Sequence, residues 1–368
     1  MTSSSLSRPP FRADQVGSLL RPPELREARG RFKRGEISRD QLKLVEDRSI
    51  EAAIRRQEAA GLESITDGEF RRDWWHVDFL TGLESVESYA APLVVGFKNT
   101  EEQPPMLRVT GKVKRVRPIF VDPFKFMKSA AKNTAKQTIP APAMLHMRPG
   151  RAGISREAYP DLKEFWADVA QAYREEIRDL AAAGCTYLQL DDTSFAYLCD
   201  DKFRAALRER GDDPDELVRA YAAAINAAIR DRPADMTITM HTCRGNFKST
   251  WVASGGYEPV VEALFSAGVD GYFMEFDSDR AGDFAPLRFA PKGKKVVLGL
   301  VTTKVGALED KDTLKRRIEA ASKYVPLEDL CLSPQCGFSS THHGNVLSYE
   351  EQWRKLERIV EVAREVWG

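Results

Sequence analysis

Eight short apolar segments, most of them separated by helical segments, constrain the fold of this chain more than any other feature. Each has the length and composition of a buried strand, and they recur at spacings of about 20 to 45 residues. Alternating strands and helices form parallel sheets, and eight such units favour a (β/α)₈ barrel, the TIM barrel, over an open sheet. The predicted strands are residues 11–18, 64–69, 143–146, 187–192, 236–243, 272–275, 296–301 and 330–336.

One region interrupts this rhythm. Between residues 85 and 138, the segments 93–97, 107–113 and 116–121 have the pattern of short hairpin strands. A helical segment at 124–136 then leads back to the main body. We therefore predict one catalytic barrel domain over 1–368, with a β-rich hairpin insertion at 85–138, after the second strand.

The charge balance and the cysteines narrow the class of protein. Lys and Arg total 55, as do Asp and Glu, so nothing predicts a nucleic acid or an anionic membrane as partner. No apolar run reaches the roughly 18 residues of a membrane span, and the N-terminus lacks the apolar stretch of a signal peptide. Five widely spaced cysteines, an odd number, do not predict a disulfide framework. We expect a cytoplasmic protein whose thiols stay reduced.

A candidate metal site is formed by polar residues at the ends of three predicted strands. His241 and Cys243 are two residues apart in one strand, so their side chains point to the same face. Glu275 and Cys336 each close a later strand, and strand ends of a barrel meet at one rim. One imidazole, two thiolates and one carboxylate suit tetrahedral Zn²⁺. The sequence therefore predicts zinc as the cofactor, bound by these four residues.

Two roles are open for such a zinc site. A closed four-ligand site can simply hold strands together. Alternatively, two thiolates and a carboxylate make the centre a poor Lewis acid that keeps a bound thiolate nucleophilic, and Glu275 could yield its place to an incoming thiol. We favour the catalytic role because the functional residues of a barrel lie at this rim.

The sequence resembles the cobalamin-independent methionine synthase family. His241-Thr242-Cys243, Glu275 and Cys336-Gly337 match the zinc ligands of that family one for one. The resemblance covers nearly the whole chain, but only the catalytic C-terminal barrel of the long enzymes. It implies transfer of a methyl group from a 5-methyltetrahydrofolate-type donor to the sulfur of homocysteine, giving methionine. Further matches are Thr66-Asp67-Gly68-Glu69 with Arg71-Arg72-Asp73, Leu188-Gln189-Leu190-Asp191, and Val16-Gly17-Ser18.

The resemblance also implies how the thiol substrate binds. Glu69 and Asp191 would hold the amino group of homocysteine, since a carboxylate pair recognises an ammonium. Backbone N–H groups around Gly17 and Ser18 would take its carboxylate, since exposed amides form an anion nest. Without the zinc set, Glu69 and Asp191 would instead be interpreted as capping or solvated residues at strand ends.

The methyl-donor side departs from the family pattern. No indole stands near His146-Met147, where the family has its folate-stacking tryptophan. No histidine stands near Thr302-Thr303-Lys304, where the family has a proton donor; Lys304 could supply a proton or attract an anionic substrate, without being equivalent to imidazole. His342 or His343 could replace that acid, although a solvated loop is favoured. Residues 70–79, which contain two arginines and two indoles, either grip a flat or anionic donor or pack on the barrel.

Three alternatives to a folate-linked methionine synthase stay open. Methionine could be made from a non-folate methyl donor. The chain could resemble the epoxyalkane:coenzyme M transferases, whose sulfonate could be bound by cationic side chains, although paired carboxylates at Glu69 and Asp191 would repel it. A zinc-binding barrel without catalysis is the third alternative, and a homodimer is compatible with each. The cationic candidates are Arg71, Arg72, Arg148 and Lys304.

Overall fold

Seven parallel strands that curl around a common core dominate the computed structural model, which describes residues 8–90 and 104–368. The sheet order is the first, fourth, fifth, sixth, seventh, eighth and ninth strand of the chain, which is consistent with a TIM-like barrel. The second and third strands form a separate antiparallel pair. The strands are β1 (Ser64–Ile65), β2 (Glu84–Tyr89), β3 (Met106–Lys114), β4 (Thr134–Pro140), β5 (Tyr187–Asp192), β6 (Thr237–Thr242), β7 (Gly271–Glu275), β8 (Lys295–Val301) and β9 (Leu330–Pro334).

Helices follow most strands of the central sheet, as the sequence predicted. Strands β5, β6 and β7 are buried along their whole length, because a parallel sheet is covered on both faces. No helix within 8–90 and 104–368 has the length and apolarity needed to cross a membrane. The α-helices are α1 (Pro23–Lys33), α2 (Arg39–Ala59), α3 (Val77–Leu80), α4 (Val121–Ala130), α5 (Leu162–Ala182), α6 (Ser194–Tyr197), α7 (Asp201–Glu209), α8 (Pro214–Ile229), α9 (Val261–Ser266), α10 (Lys311–Ser322) and α11 (Tyr349–Trp367).

The segment predicted as the first strand, 11–18, makes only an isolated parallel bridge, from Ala13 to Leu332 of β9. The prediction of a regular strand was wrong here because the Asp14 carboxylate accepts the backbone N–H groups of Phe11 and Gln15. Such local side-chain bonds compete with a strand ladder. The segment nevertheless lies against β9, and the N–H of Leu19 donates to the carbonyl of Gly68 beyond β1. It therefore lies between the two edge strands of the sheet.

The strand predicted at 143–146 was also wrong. Residues Pro142–Leu145 form a 3₁₀ helix, with Pro142 in its first turn, and the strand lies earlier as β4. The prediction assigned 124–136 to a helix, but α4 ends at Ala130. Strand β4 was overlooked because it carries polar residues that are buried: Lys136 forms a fully buried ion pair with Asp14. Its hydrophobic pattern is therefore weak.

The antiparallel pair β2–β3 lies in the region predicted to be an insertion. The strand predicted at 107–113 is confirmed within β3, whereas 116–121 forms no strand and runs into α4. The segment 93–97 lies outside the described residues. Residues 134–138 belong to β4 of the central sheet. The division into one domain with an insertion stays a prediction.

A candidate metal centre in a cleft at the strand ends

The four predicted zinc ligands come together at the carboxyl ends of the sheet. His241 lies on β6 with Cys243 directly after the strand, Glu275 ends β7, and Cys336 follows β9 by two residues. One ligand atom from each lies within 4.8 Å of the others, and all four residues are buried. Parallel neighbours β6 and β7 end at the same rim, which is why residues distant in sequence meet. The cluster could bind a metal ion.

The two thiols of the cluster interact directly. Their Sγ atoms lie 3.4 Å apart. The hydrogen bond from Cys243 and the charge of His241 lower the pKa of Cys336 to about 7, against the effect of burial. The same hydrogen bond, together with burial, raises the pKa of Cys243. Cys336 is thus the more acidic of the two thiols, and its thiolate can accept a hydrogen bond from Cys243. Two sulfurs with a nitrogen and an oxygen form the donor set that tetrahedral zinc prefers.

The imidazole of His241 is held from both sides. Its Nδ1 lies 3.4 Å from Oδ1 of Asp191, while Nε2 lies 3.0 Å from the backbone oxygen of Gln335 and 3.9 Å from Oε1 of Glu275. Burial lowers the pKa of His241, but the hydrogen bond to Asp191 and the Cys336 charge outweigh it and raise the pKa to about 9. Because Nδ1 faces the carboxylate, Nε2 is the nitrogen turned towards the other ligand atoms.

Both oxygens of Glu275 are engaged by neighbouring side chains. Arg280 donates to Oε2 at 3.2 Å, and the Gln335 amide donates to Oε1 at 3.3 Å. Lys304, predicted from sequence as catalytic, donates through Nζ to Oε1 of Gln335 and lies 3.7 Å from Oδ2 of Asp277. Its ammonium therefore reaches the cluster through Gln335, and Lys304 is not among the residues that line the cleft.

A cleft opens beside the cluster and is lined by Ser18, Glu69 and Asp191, among others. Its volume is about 550 Å³, which includes space open to solvent. Glu69 has φ 60°, a conformation that is uncommon for a residue with a side chain, in the turn after β1. Its Oε1 accepts from Thr138 at 2.9 Å and lies 3.3 Å from Arg72, while Oε2 has no partner in the part of the chain that the structure describes. Burial raises the pKa of Glu69 to about 7, partly opposed by Arg72.

The turn at Gly17 and Ser18 fits closely against this cleft. Gly17 has φ +144°, and a Cβ there would lie 2.8 Å from Cγ2 of Thr138. A Cβ at Gly337, next to Cys336, would lie 1.9 Å from Oγ of Ser18. Among the described residues, the backbone N–H of Ser18 has no hydrogen-bond acceptor. The two glycines therefore bring an available N–H close to the metal cluster.

An aromatic wall lies across the cleft. We use this name for Trp74, Trp75 and Phe247, which all line it. Trp74 stacks on Phe247 with ring centroids 5.9 Å apart and an interplanar angle of 21°, and the ring of His343 meets both edge-on. Two indoles thus reach the cleft from the segment after β1. His146 instead contacts Tyr221, with Nδ1 3.0 Å from its hydroxyl, and is not among the cleft-lining residues.

Sequence reasoning missed several residues that build this site. Gln335 bridges Lys304 and Glu275, Arg280 pairs with Glu275, and Tyr197, Asn246 and Phe247 line the cleft. Asn246 and Phe247 follow β6, so the rule that barrel function lies after strand ends could have identified them. The partners of Glu275 carried no such signal, since a glutamine and an arginine in loops are ordinary.

Comparisons with known proteins agree with this architecture. The profile of the family described as cobalamin-independent synthase, catalytic domain, matches residues 11–365. The uncharacterised protein YxjH of Bacillus subtilis is 46% identical, over 97% of this chain and 95% of its own. A solved protein of Listeria monocytogenes, described as a candidate vitamin-B12-independent methionine synthase, is 40% identical with a TM-score of 0.78, covering 99% of this chain and 100% of that chain. A B12-independent methionine synthase of Shewanella sp. W3-18-1, in complex with selenomethionine, shares the fold at 20% identity and a TM-score of 0.71, over 96% of both chains.

Proposed function

The chain belongs to the cobalamin-independent methionine synthase family, in its single-domain form, and from this premise we propose that it is a zinc-dependent methyltransferase that converts homocysteine to methionine. The observation that carries the proposal is the arrangement of the cleft. The cluster His241, Cys243, Glu275 and Cys336 lies beside the carboxylates of Glu69 and Asp191. A thiol-activating centre and an ammonium-binding pair in one cleft match an amino-acid thiol.

Each end of homocysteine has a proposed partner. Glu69 and Asp191 bind its ammonium, and the N–H groups at Gly17 and Ser18 bind its carboxylate. The free Oε2 of Glu69 and the unpaired N–H of Ser18, judged within the described residues, support this assignment. The thiol then lies at the cluster, where zinc, when bound, would keep the sulfur deprotonated and nucleophilic.

The bonds and electrons of the proposed methyl transfer balance without an oxidant or reductant. The thiolate sulfur attacks the methyl carbon in line, a sulfur–carbon bond forms, and the electrons of the broken methyl bond go to the donor's leaving atom. A nitrogen leaving group requires a proton, whereas a sulfonium leaves as a neutral thioether. With zinc bound, Glu275 would be the ligand that the thiol could replace, and Arg280 and Gln335, which donate to its carboxylate, would hold it. Lys304 stays a predicted catalytic residue, and its contact with Gln335 supports a positioning role.

The donor and the remaining assignments are proposals as well. A 5-methyltetrahydrofolate-type donor is proposed first and a non-folate methyl donor second. An epoxyalkane:coenzyme M type reaction is disfavoured because Glu69 and Asp191 would repel a sulfonate. We infer that residues 11–18 close the sheet by occupying the position of the eighth strand of a (β/α)₈ barrel. A cytoplasmic location, a single domain with an insertion, and a homodimer stay predictions.

Metal analysis and zinc-edge spectroscopy test the proposal. The purified protein should hold about one zinc, and homocysteine should replace a light ligand atom by sulfur. Methionine should form when homocysteine is combined with one of a panel of methyl donors. An unchanged ligand shell with every thiol tried would instead support an inert zinc-binding barrel, and methylation without 5-methyltetrahydrofolate would select the non-folate alternative.

A further inference from the structure

One buried cation in the cleft has no counter-ion. Arg148 is 8% exposed and lines the cleft. Within the described residues its Nη1 donates to Nε2 of His76 at 3.1 Å, the hydroxyl of Tyr197 is a further neighbour, and its Nε has no partner. No carboxylate of that part of the chain forms an ion pair with it. An uncompensated buried charge is costly, so a protein retains one mainly where a ligand neutralises it.

The other cationic candidates at this end of the sheet are already neutralised. Arg71 pairs with Glu46 and Asp47, outside the cleft. Arg72 lies 3.3 Å from Glu69. Lys304 contacts Gln335 and lies 3.7 Å from Asp277.

Two further buried arginines near the cluster lie outside the cleft lining, although Arg244, like Arg148, has no carboxylate partner among the described residues. Arg280 pairs with Glu275 and Asp277. Arg244 packs over the ring of Tyr257, 4.4 Å from its centroid, and does not line the cleft. Among the described residues that line the cleft, Arg148 is thus the cationic side chain without a carboxylate partner.

The surroundings of Arg148 favour an anion over a second cation. His76 accepts a hydrogen bond from the guanidinium, and burial together with the Arg148 charge lowers the pKa of His76, so the imidazole is neutral. Trp75 packs against His76 with ring centroids 4.7 Å apart, and Arg148 lines the same cleft as Trp74 and Trp75. A guanidinium beside indoles can bind a carboxylate, phosphate or sulfonate in a bidentate manner while the rings cover an apolar or flat group.

We propose that the methyl donor is anionic and that Arg148 binds its anionic group, with the methyl-bearing part lying along the aromatic wall of Trp74, Trp75 and Phe247. This inference rests on the proposed methyl transfer to a thiol. Homocysteine has its own proposed carboxylate partner at Gly17 and Ser18, which leaves Arg148 for the second substrate. Arg148 is therefore a specificity-determining residue for the donor.

Binding of matched donor pairs tests this without turnover. Each pair shares its methyl-bearing group and differs in an anion: 5-methyltetrahydrofolate against a 5-methyltetrahydropterin lacking the glutamyl tail, and 3-dimethylsulfoniopropionate against ethyldimethylsulfonium. Quenching of tryptophan fluorescence in the zinc-loaded protein reports binding. In at least one pair, the wild type should bind the member that carries the anion at least tenfold more tightly. Arg148→Gln should reduce that preference to within about threefold, chiefly by weakening the binding of the member that carries the anion, because the charged hydrogen bonds are lost.

Two further variants complete the design. Arg148→Lys keeps the charge but loses the planar fork, so it should retain part of the preference, and it provides the test if Arg148→Gln does not fold. Arg156→Gln removes the same charge from an exposed position on the following loop and should behave as wild type. An unchanged preference in both Arg148 variants would overturn the proposal, as would a wild type that in neither pair prefers the member that carries the anion.

The homocysteine titration separates this inference from the proposed function. When zinc-edge spectroscopy monitors the entry of homocysteine into the zinc shell, the midpoint of the homocysteine titration should be the same in wild type and Arg148→Gln. A midpoint shifted tenfold or more would assign Arg148 to the carboxylate of homocysteine and contradict a donor role. If homocysteine does not enter the shell of the wild type at all, the proposed function fails, whereas the donor titrations still decide what Arg148 binds.

Discussion

Oδ1 of Asp191 lies 3.4 Å from Nδ1 of His241, so a single carboxylate faces both the imidazole and the cleft. The same Oδ1 accepts from the Gln189 amide at 2.7 Å, which fixes its direction. Asp191 can therefore orient His241 towards a metal and bind the ammonium of a substrate. Because Asp191 has both roles, we expect changes at Asp191 to alter metal affinity as well as substrate affinity.

Asp191→Asn should weaken zinc binding about 10- to 100-fold, the usual effect of removing a carboxylate partner of a metal-binding histidine. Competition with a chromophoric chelator measures this. Asp192→Asn is the matched control: its carboxylate has no hydrogen bond to His241 among the described residues and accepts from Ser194 and Phe195. That variant should lose stability and keep zinc affinity. Equal zinc affinity in Asp191→Asn and wild type would contradict the orienting role.

Cys336→Ser should reduce zinc affinity by more than about a hundredfold, since loss of a direct ligand exceeds loss of an outer partner. Zinc content after dialysis and chelator competition provide the measurement. Cys331→Ser is the control, because Cys331 is buried on β9, the strand that precedes Cys336, and belongs to no ligand cluster within the described residues. Zinc retained by Cys336→Ser would show that the cluster is not the metal site.

Glu69 should make the stability of the metal-free protein depend on pH. Burial raises its pKa from 4.5 to about 7, so between these values the folded state holds a proton that the unfolded chain has released. Stability therefore falls as pH rises through this window, and the full cost is reached above it. Glu69→Gln removes this cost and should stabilise the protein at pH 8 by roughly 1 to 3 kcal/mol, but by little at pH 5.

Urea unfolding of metal-free protein in reductant, at both pH values, measures the effect. Glu209→Gln, an exposed change on α7, should show no such difference. A Glu69→Gln variant that is less stable than wild type at pH 8 would mean that the charge of Glu69 is compensated in the folded protein. The KM for homocysteine should rise in Glu69→Gln, since an ammonium ligand is lost.

Lys304→Met should reduce methyl transfer from nitrogen-linked and sulfonium donors to the same extent. This follows if Lys304 acts by holding Gln335, and through it Glu275, because that role does not depend on the leaving group. Comparing kcat for 5-methyltetrahydrofolate and 3-dimethylsulfoniopropionate, using whichever the wild type accepts, gives the answer. Selective loss with the nitrogen donor would instead make Lys304 the proton source, since only that leaving group needs a proton.

Much of this protein could be predicted from local pattern. The strands β5, β6, β7, β8 and β9 are apolar over short runs, so their positions were predicted closely, and their ends carry the cluster His241, Cys243, Glu275 and Cys336. Parallel strands of one barrel end at one rim, and this rule converts four separate sequence positions into neighbours. The ligand set could therefore be predicted without knowledge of side-chain packing.

Other features were decided only by the tertiary structure. Strand β4 is held by Lys136 paired to Asp14, which is 122 residues away, and the pairing hides a strand whose own pattern is polar. Arg148 was one of four cationic candidates in the sequence, and only the structure shows that it lines the cleft without a carboxylate partner among the described residues. Apolar periodicity is a local property that sequence displays, whereas the partner of a buried charge is supplied by a distant segment. The sequence by itself thus determined which residues could hold a metal. The tertiary structure decided which buried charged groups have no partner within the protein and can therefore bind a substrate.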